Sequence, residues 1–88
     1  MITREIEVIN KFGLHARPSV LLVQTAGRFK ADLKLRKGEM EVNGKSIIGV
    51  MMLAAGQGTK LMVVADGPDE SDSVEALVAL FASKFGED

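Results

Sequence analysis

The chain has 88 residues, eleven Lys and Arg against twelve Asp and Glu, a formal net charge of −1, one histidine and no cysteine. A chain this short is expected to form one small domain, here residues 1–88, and without thiols it has neither a disulfide framework nor a thiolate site, which fits a reducing compartment. The balanced charge leaves no field to gather nucleic acid or an anionic membrane, the lone histidine argues against a histidine metal centre, and no apolar run approaches the roughly 18 residues that cross a bilayer.

The N-terminal residues lack the apolar core and cleavage site of a secretory signal, so the chain reads as unprocessed. Residues 2–9 alternate, with Ile2, Arg4, Ile6 and Val8 on one side and Thr3, Glu5, Glu7 and Ile9 on the other, and predict a half-buried strand. Residues 10–13 follow as a loop. Pro18, a residue favoured at the first helical position, marks a helix beginning at about residues 16 to 18, with His15 just outside it. Leu21, Leu22, Ala26 and Phe29 then fall at helical spacing, flanked by Val20 and Val23, and Gly27 weakens the last turn.

Residues 31–37 alternate again, Leu33 and Leu35 opposite Asp32, Lys34 and Arg36, and Met40 and Val42 continue the pattern after Gly38. This predicts a hairpin with one face toward water. Lys34, Arg36 and Lys37 form a basic run, but no aromatic residue interleaves it, so it reads as a solvated face rather than an RNA surface. Asn43-Gly44 signals a turn, and Ser46 is a favoured helix N-cap. Residues 47–53, Ile-Ile-Gly-Val-Met-Met-Leu, are apolar nearly all round and admit a short strand or a short helix; the preceding serine favours the helix. So short a helix cannot bury every side. Ile47, Ile48 and Met51 are therefore expected to stay partly exposed, as a partner surface or under a neighbouring loop.

Gly56-Gln57-Gly58 is a loop without the third glycine of a dinucleotide fingerprint. Residues 60–65, apolar on both sides from Leu61 to Val64, predict a central strand ended by Gly67-Pro68. Asp69, Glu70 and Asp72 open a helix marked by Val74, Leu77, Val78, Phe81 and Phe85, with Lys84 and Gly86 at its end. These acids lack the ligand spacing of a calcium loop. The element order predicts an α+β domain of two layers with helices on one side of the sheet; periodicity does not give the strand order.

The chemistry concentrates in Gly13-Leu14-His15-Ala16-Arg17-Pro18. A helix start carries unpartnered N–H groups and a partial positive charge, which makes it an anion site, and Arg17 adds a planar cation suited to phosphate or carboxylate. Histidine is the side chain that is largely neutral and nucleophilic near pH 7, so it could accept a phosphoryl group beside that cradle. From residue types alone, the plainer reading of His15 as a cap or surface residue stays open. A hydrolase using His15 as general base has no local acid to complete a triad. A non-catalytic α+β binding module is the alternative from another class. An RNA-binding sheet would display aromatic residues, whereas Tyr and Trp are absent and Phe29, Phe81 and Phe85 fit core positions.

The string Gly13-Leu14-His15-Ala16-Arg17-Pro18, followed by Gly44-Lys45-Ser46-Ile47-Ile48-Gly49-Val50-Met51, resembles the HPr family of the bacterial phosphoenolpyruvate-dependent phosphotransferase system, over essentially the whole chain. The resemblance implies an open-faced sandwich: a four-stranded antiparallel sheet in the order 1-4-2-3 with three helices on one face. It also implies a stoichiometric carrier rather than an enzyme, cytoplasmic, monomeric and without cofactor. His15 would take a phosphoryl group at Nδ1 from enzyme I and pass it to a histidine of an EIIA-type protein, with Arg17 stabilising the group. Ala16, Val20, Ile47, Ile48 and Met51 would align the partner. Ser46, otherwise a plain N-cap, would be the target of an HPr kinase/phosphorylase, with a transcriptional regulator as a further partner. Leu22-Val23-Gln24-Thr25-Ala26 resembles the sugar-system members. Asn10-Lys11 and the stretch from Leu80 to Asp88 resemble the nitrogen branch, NPr, and both branches stay open.

Overall fold

The computed structural model describes residues 1–86. Alternating strands and singly striped helices give the elements β1 (Ile2–Glu7), α1 (Ala16–Ala26), β2 (Asp32–Lys37), β3 (Met40–Asn43), α2 (Ile47–Met52), β4 (Lys60–Asp66) and α3 (Glu70–Ala82). The strands form one sheet in the order β1-β4-β2-β3, every neighbouring pair antiparallel. Both the fold class and the strand order implied by the resemblance are thus observed.

Register explains where the core sits. Ile6 faces Leu61 and Ile2 faces Ala65 across β1 and β4, while Leu33 and Leu35 face Ala65 and Val63 across β2 and β4. These residues line one face, against which the helices pack Leu22, Ala26, Val50, Val74, Leu77 and Phe81. The opposite face carries Lys34, Arg36 and Glu41, exposed and paired at 3.8 and 3.3 Å. Water on that face screens such pairs, so they add little to stability. Central β4 shows the expected two-sided apolar character: Leu61, Val63 and Ala65 are buried, and Met62 and Val64 half-buried on the open side.

Several expectations need correction. β1 ends at Glu7 rather than Ile9, although Val8 still exchanges backbone bonds with Thr59 and Gly58. Arg4 has the parity of the core face but is exposed, because β1 is an edge strand from which a long side chain reaches solvent. α1 begins at Ala16, within the expected range, and Pro18 is its third residue. The first intrahelical bond of α1 runs from the Ser19 N–H to the His15 carbonyl at 3.1 Å, so Pro18 holds the last position where a missing donor costs nothing. Phe29 lies beyond the helix, half-buried under the Arg28 guanidinium, because the chain leaves the helix at Gly27. Lys37 shares the helix-side parity of Leu33 and Leu35 and is not part of the solvated face. Phe85 is buried against Phe81, as its spacing suggested, but gets there through a left-handed turn in which Lys84, Phe85 and Gly86 all have positive φ. Glu87 and Asp88, the end of the stretch likened to the nitrogen branch, lie outside the described residues.

Candidate functional site

The backbone leading to His15 is fixed before its side chain is considered. Asn10, fully buried, accepts the Gly13 N–H with its carbonyl and donates its Nδ2 to the Gly13 carbonyl at 2.7 Å, closing a tight turn. Gly13 has φ of +67°, and a Cβ built there would stand 2.4 Å from the Ala55 carbonyl oxygen; only glycine fits that approach. The next N–H, of Leu14, donates to the same Ala55 oxygen at 2.8 Å. Buried Ser19 donates its hydroxyl back to the Leu14 carbonyl at 3.2 Å. The loop before α1 is thus riveted to the loop after α2.

His15 occupies the N-cap position of α1 with extended backbone, φ −79° and ψ −169°, and without a side-chain capping bond. It is exposed, as are Ala16 and Arg17, and the Phe12 ring stands edge-on to the imidazole at 6.2 Å and 86°. An N-terminal turn favours anions, yet this one holds no acidic residue and carries Arg17 instead. A cation at that place works against the macrodipole and makes sense as half of an anion cradle. The other half is the N–H groups of the first turn, to which Pro18 contributes none.

Ala16 and Val20 stand one turn apart on α1, both exposed. Beside α1 lies α2, capped by Ser46, whose hydroxyl accepts the Gly49 N–H at 3.1 Å. α2 buries Val50 and, just beyond its end, Leu53, leaving Ile47, Ile48, Met51 and Met52 outside. Ile48 is 71% exposed, so this face is open to solvent rather than tucked beneath a loop. Two lysines pin α2. Lys37 Nζ donates to the Leu53 carbonyl at 2.9 Å, the cationic complement for a helix C-terminus, and Lys45 Nζ donates to the Phe29 carbonyl at 2.7 Å. The second bond sets Ser46 near the far end of α1, whereas Ala55 holds the other end of α2 beside Gly13. His15 therefore adjoins the Met51 and Met52 end of the patch, and Ser46 stands at the opposite end.

Around His15 and α2, the exposed Phe12 and Met52 escaped the sequence reading. Phe12 sits in a loop without periodicity, and Met52 in a run apolar on all sides, so no pattern assigned either a face. Among the described residues no three His, Cys, Asp or Glu side chains cluster as metal ligands, and no helix is long and apolar enough to cross a membrane.

The comparisons with known proteins agree with one another. Residues 2–83 match the family model PTS-HPr, described as the PTS HPr component phosphorylation site. A phosphocarrier protein HPr of Cupriavidus necator is 49% identical over 87 residues, 99% of this chain and 98% of its own. The crystal structure of an HPr from Thermoanaerobacter tengcongensis superposes with a TM-score of 0.97 at 46% identity, covering 100% of this chain and 99% of that one. A second structure from that organism, described as an HPr dimer, gives a TM-score of 0.80 at 49% identity and covers 93% and 94%.

Proposed function

The chain belongs to the HPr family of phosphocarrier proteins of the phosphotransferase system, and from that premise we propose that His15 is its phosphoryl acceptor, charged by enzyme I and discharged to a histidine of an EIIA-type protein. The observation that carries this reading is an exposed imidazole at the mouth of α1, on an immobilised backbone and beside an exposed Arg17.

The lone pair of Nδ1 attacks phosphorus in line with the donor's P–N bond. The new bond forms as the old one breaks, and the donor imidazole regains its electron pair. His15 keeps its own proton on Nε2 throughout. Charge on the three equatorial oxygens is met by Arg17 and by the N–H groups that open α1. Transfer must run onward, so a stabiliser that held the product tightly would trap it. Arg17 on an exposed first turn suits reversible use better than a buried clamp.

Ala16, Val20, Ile47, Ile48 and Met51 form the partner-aligning face, on which Met52 joins them. Ser46 serves as a regulatory site for an HPr kinase/phosphorylase, and a transcriptional regulator reads the modified form. Its hydroxyl caps α2 at a terminus that tolerates added negative charge, so modification there alters docking rather than the fold. The carrier works in the cytoplasm as a monomer, without a cofactor, in the sugar branch or in the nitrogen-regulatory one.

Intact mass after incubation with phosphoenolpyruvate and enzyme I tests the central assignment. One acid-labile phosphoryl group is expected on the parent and none on His15→Ala. Modification that survives in His15→Ala, or its absence from a parent given an active enzyme I, removes the assignment.

A further inference from the structure

We propose that Met51 and Met52 form a redox-sensitive modification site whose oxidation to sulfoxide closes the docking face; this rests on the reading of that face as the partner-aligning surface of a phosphoryl carrier. The chain has no cysteine, so its readily oxidised sulfurs are thioethers. Of its five methionines, two follow one another at the C-terminal end of α2, Met51 45% and Met52 61% exposed, and neither belongs to the core. The patch on α2 is thus divided by chemistry. Ile47 and Ile48, inert hydrocarbon, lie at the Ser46 end, and the two thioethers lie at the His15 end. Met52 stands three residues before Ala55, whose carbonyl accepts the N–H of Leu14, the residue preceding His15.

A peroxide is the oxidant. A lone pair of Sδ attacks one peroxide oxygen, the O–O bond breaks, and with one proton moved to the departing oxygen the products are a sulfoxide and water. Sulfur loses two electrons and the peroxide gains them. The product side chain is polar where the thioether was apolar, and its oxygen is a hydrogen-bond acceptor that water satisfies on the free chain. Burying that oxygen against an apolar partner surface removes the water without replacing it, so docking weakens about fivefold or more. The fold is indifferent to the change, because Val50 and Leu53 are the residues buried at this end of α2. His15 and Arg17 keep their chemistry, so the transfer step itself is unaltered. Sulfoxide reductases regenerate the thioether, which makes the block reversible.

The test treats the parent and the double variant Met51→Leu/Met52→Leu with hydrogen peroxide, maps sulfoxides by peptide mass, and measures transfer from phospho-enzyme I. In the parent, sulfoxide should form at Met51 and Met52, KM for the carrier should rise about fivefold or more at unchanged kcat, and the urea midpoint should stay in place. Methionine sulfoxide reductases A and B should then return KM to its untreated value. The double variant, whatever its own KM before treatment, should not change on treatment, although Met1 and Met40 keep exposed thioethers. Parental KM with both sulfoxides present would overturn the proposal, as would failure of either to form. A rise that persists in the double variant would pass the effect to Met1 or Met40, and a fall in the urea midpoint would mean damage to the fold; each overturns the proposal. Failure of the untreated parent to take phosphate from an active enzyme I would strike the function assigned to His15 and this proposal with it, whereas an oxidised parent that transfers like the untreated one strikes this proposal alone.

Discussion

At the residue scale, the Ser46 hydroxyl has a structural role that any regulatory one must be separated from. Its oxygen accepts the Gly49 N–H at the start of a six-residue helix, where a single cap is a large share of what holds the first turn. Ser46→Ala should therefore lose about 1 kcal/mol of unfolding free energy in urea titration and keep near-parental transfer. Aspartate is itself a good N-cap, so Ser46→Asp should retain most of that stability while placing a charge beside Ile47 and Ile48. Against an acidic partner surface, its kcat/KM with phospho-enzyme I should fall about tenfold or more. Parental transfer by Ser46→Asp would remove the regulatory role and leave the cap. The serine's place at a helix start was legible because the N-cap preference is local chemistry. The exposure of Phe12 was not, since a loop has no period from which to read a face.

At the element scale, α3 is tied to the rest of the molecule by its first residues more than by its dipole. Asp69, at the N-cap of α3, directs its carboxylate away from its own helix, accepting the Lys30 N–H at 2.9 Å and the Ala31 N–H at 2.8 Å. Gly67 permits the approach: at φ +155° a Cβ there would lie 2.6 Å from the Ala31 Cα. The Lys30 N–H, then that of Ala31, hold the Asp69 carboxyl below its ordinary value. A carboxyl depressed on folding stabilises above its unfolded pKa, near 3.9, and that stabilisation is lost as pH falls through the lower folded value. Asp69→Asn should accordingly be less stable than the parent at pH 7, with the difference shrinking in denaturant titrations from about pH 5 downward. The parent's remaining acid slope belongs partly to Glu70, held low by the Gly67 N–H. A constant gap across that range would mean that shape and not charge holds the loop. The sequence showed an acidic helix start but not this clamp, because the N–H groups that donate to it lie 38 and 39 residues away. The same distance effect hid the role of Lys37: its parity was readable, its bond to Leu53 was not.

At the scale of the whole molecule, the sheet's helix-covered face, the proposed docking surface and the proposed phosphoryl acceptor are separable, and each was legible to a different degree. The core followed from alternation in β1 and β2 and from the stripe of α3, all local periods. Strand order did not, since pairing β1 with β4 joins segments with more than half of the chain between them; it came from the resemblance and is what the sheet shows. The separation predicts how a surface substitution should behave. Ile48 is 71% exposed and stands outside the core, whereas its neighbours Val50 and Leu53 are buried, so replacing Ile48 leaves packing intact. Ile48→Glu should unfold within about 0.5 kcal/mol of the parent, the usual margin for a surface change. It should raise KM for phospho-enzyme I about tenfold or more, because an exposed apolar side chain at the centre of a docking face becomes a buried charge in the complex. At saturating concentrations kcat should be unchanged, since His15, Arg17 and the first turn of α1 are untouched. A loss of stability matching the loss of transfer would place Ile48 in the fold. A fall in kcat at constant KM would mean that the patch on α2 shapes the reacting geometry and does more than gather the partner.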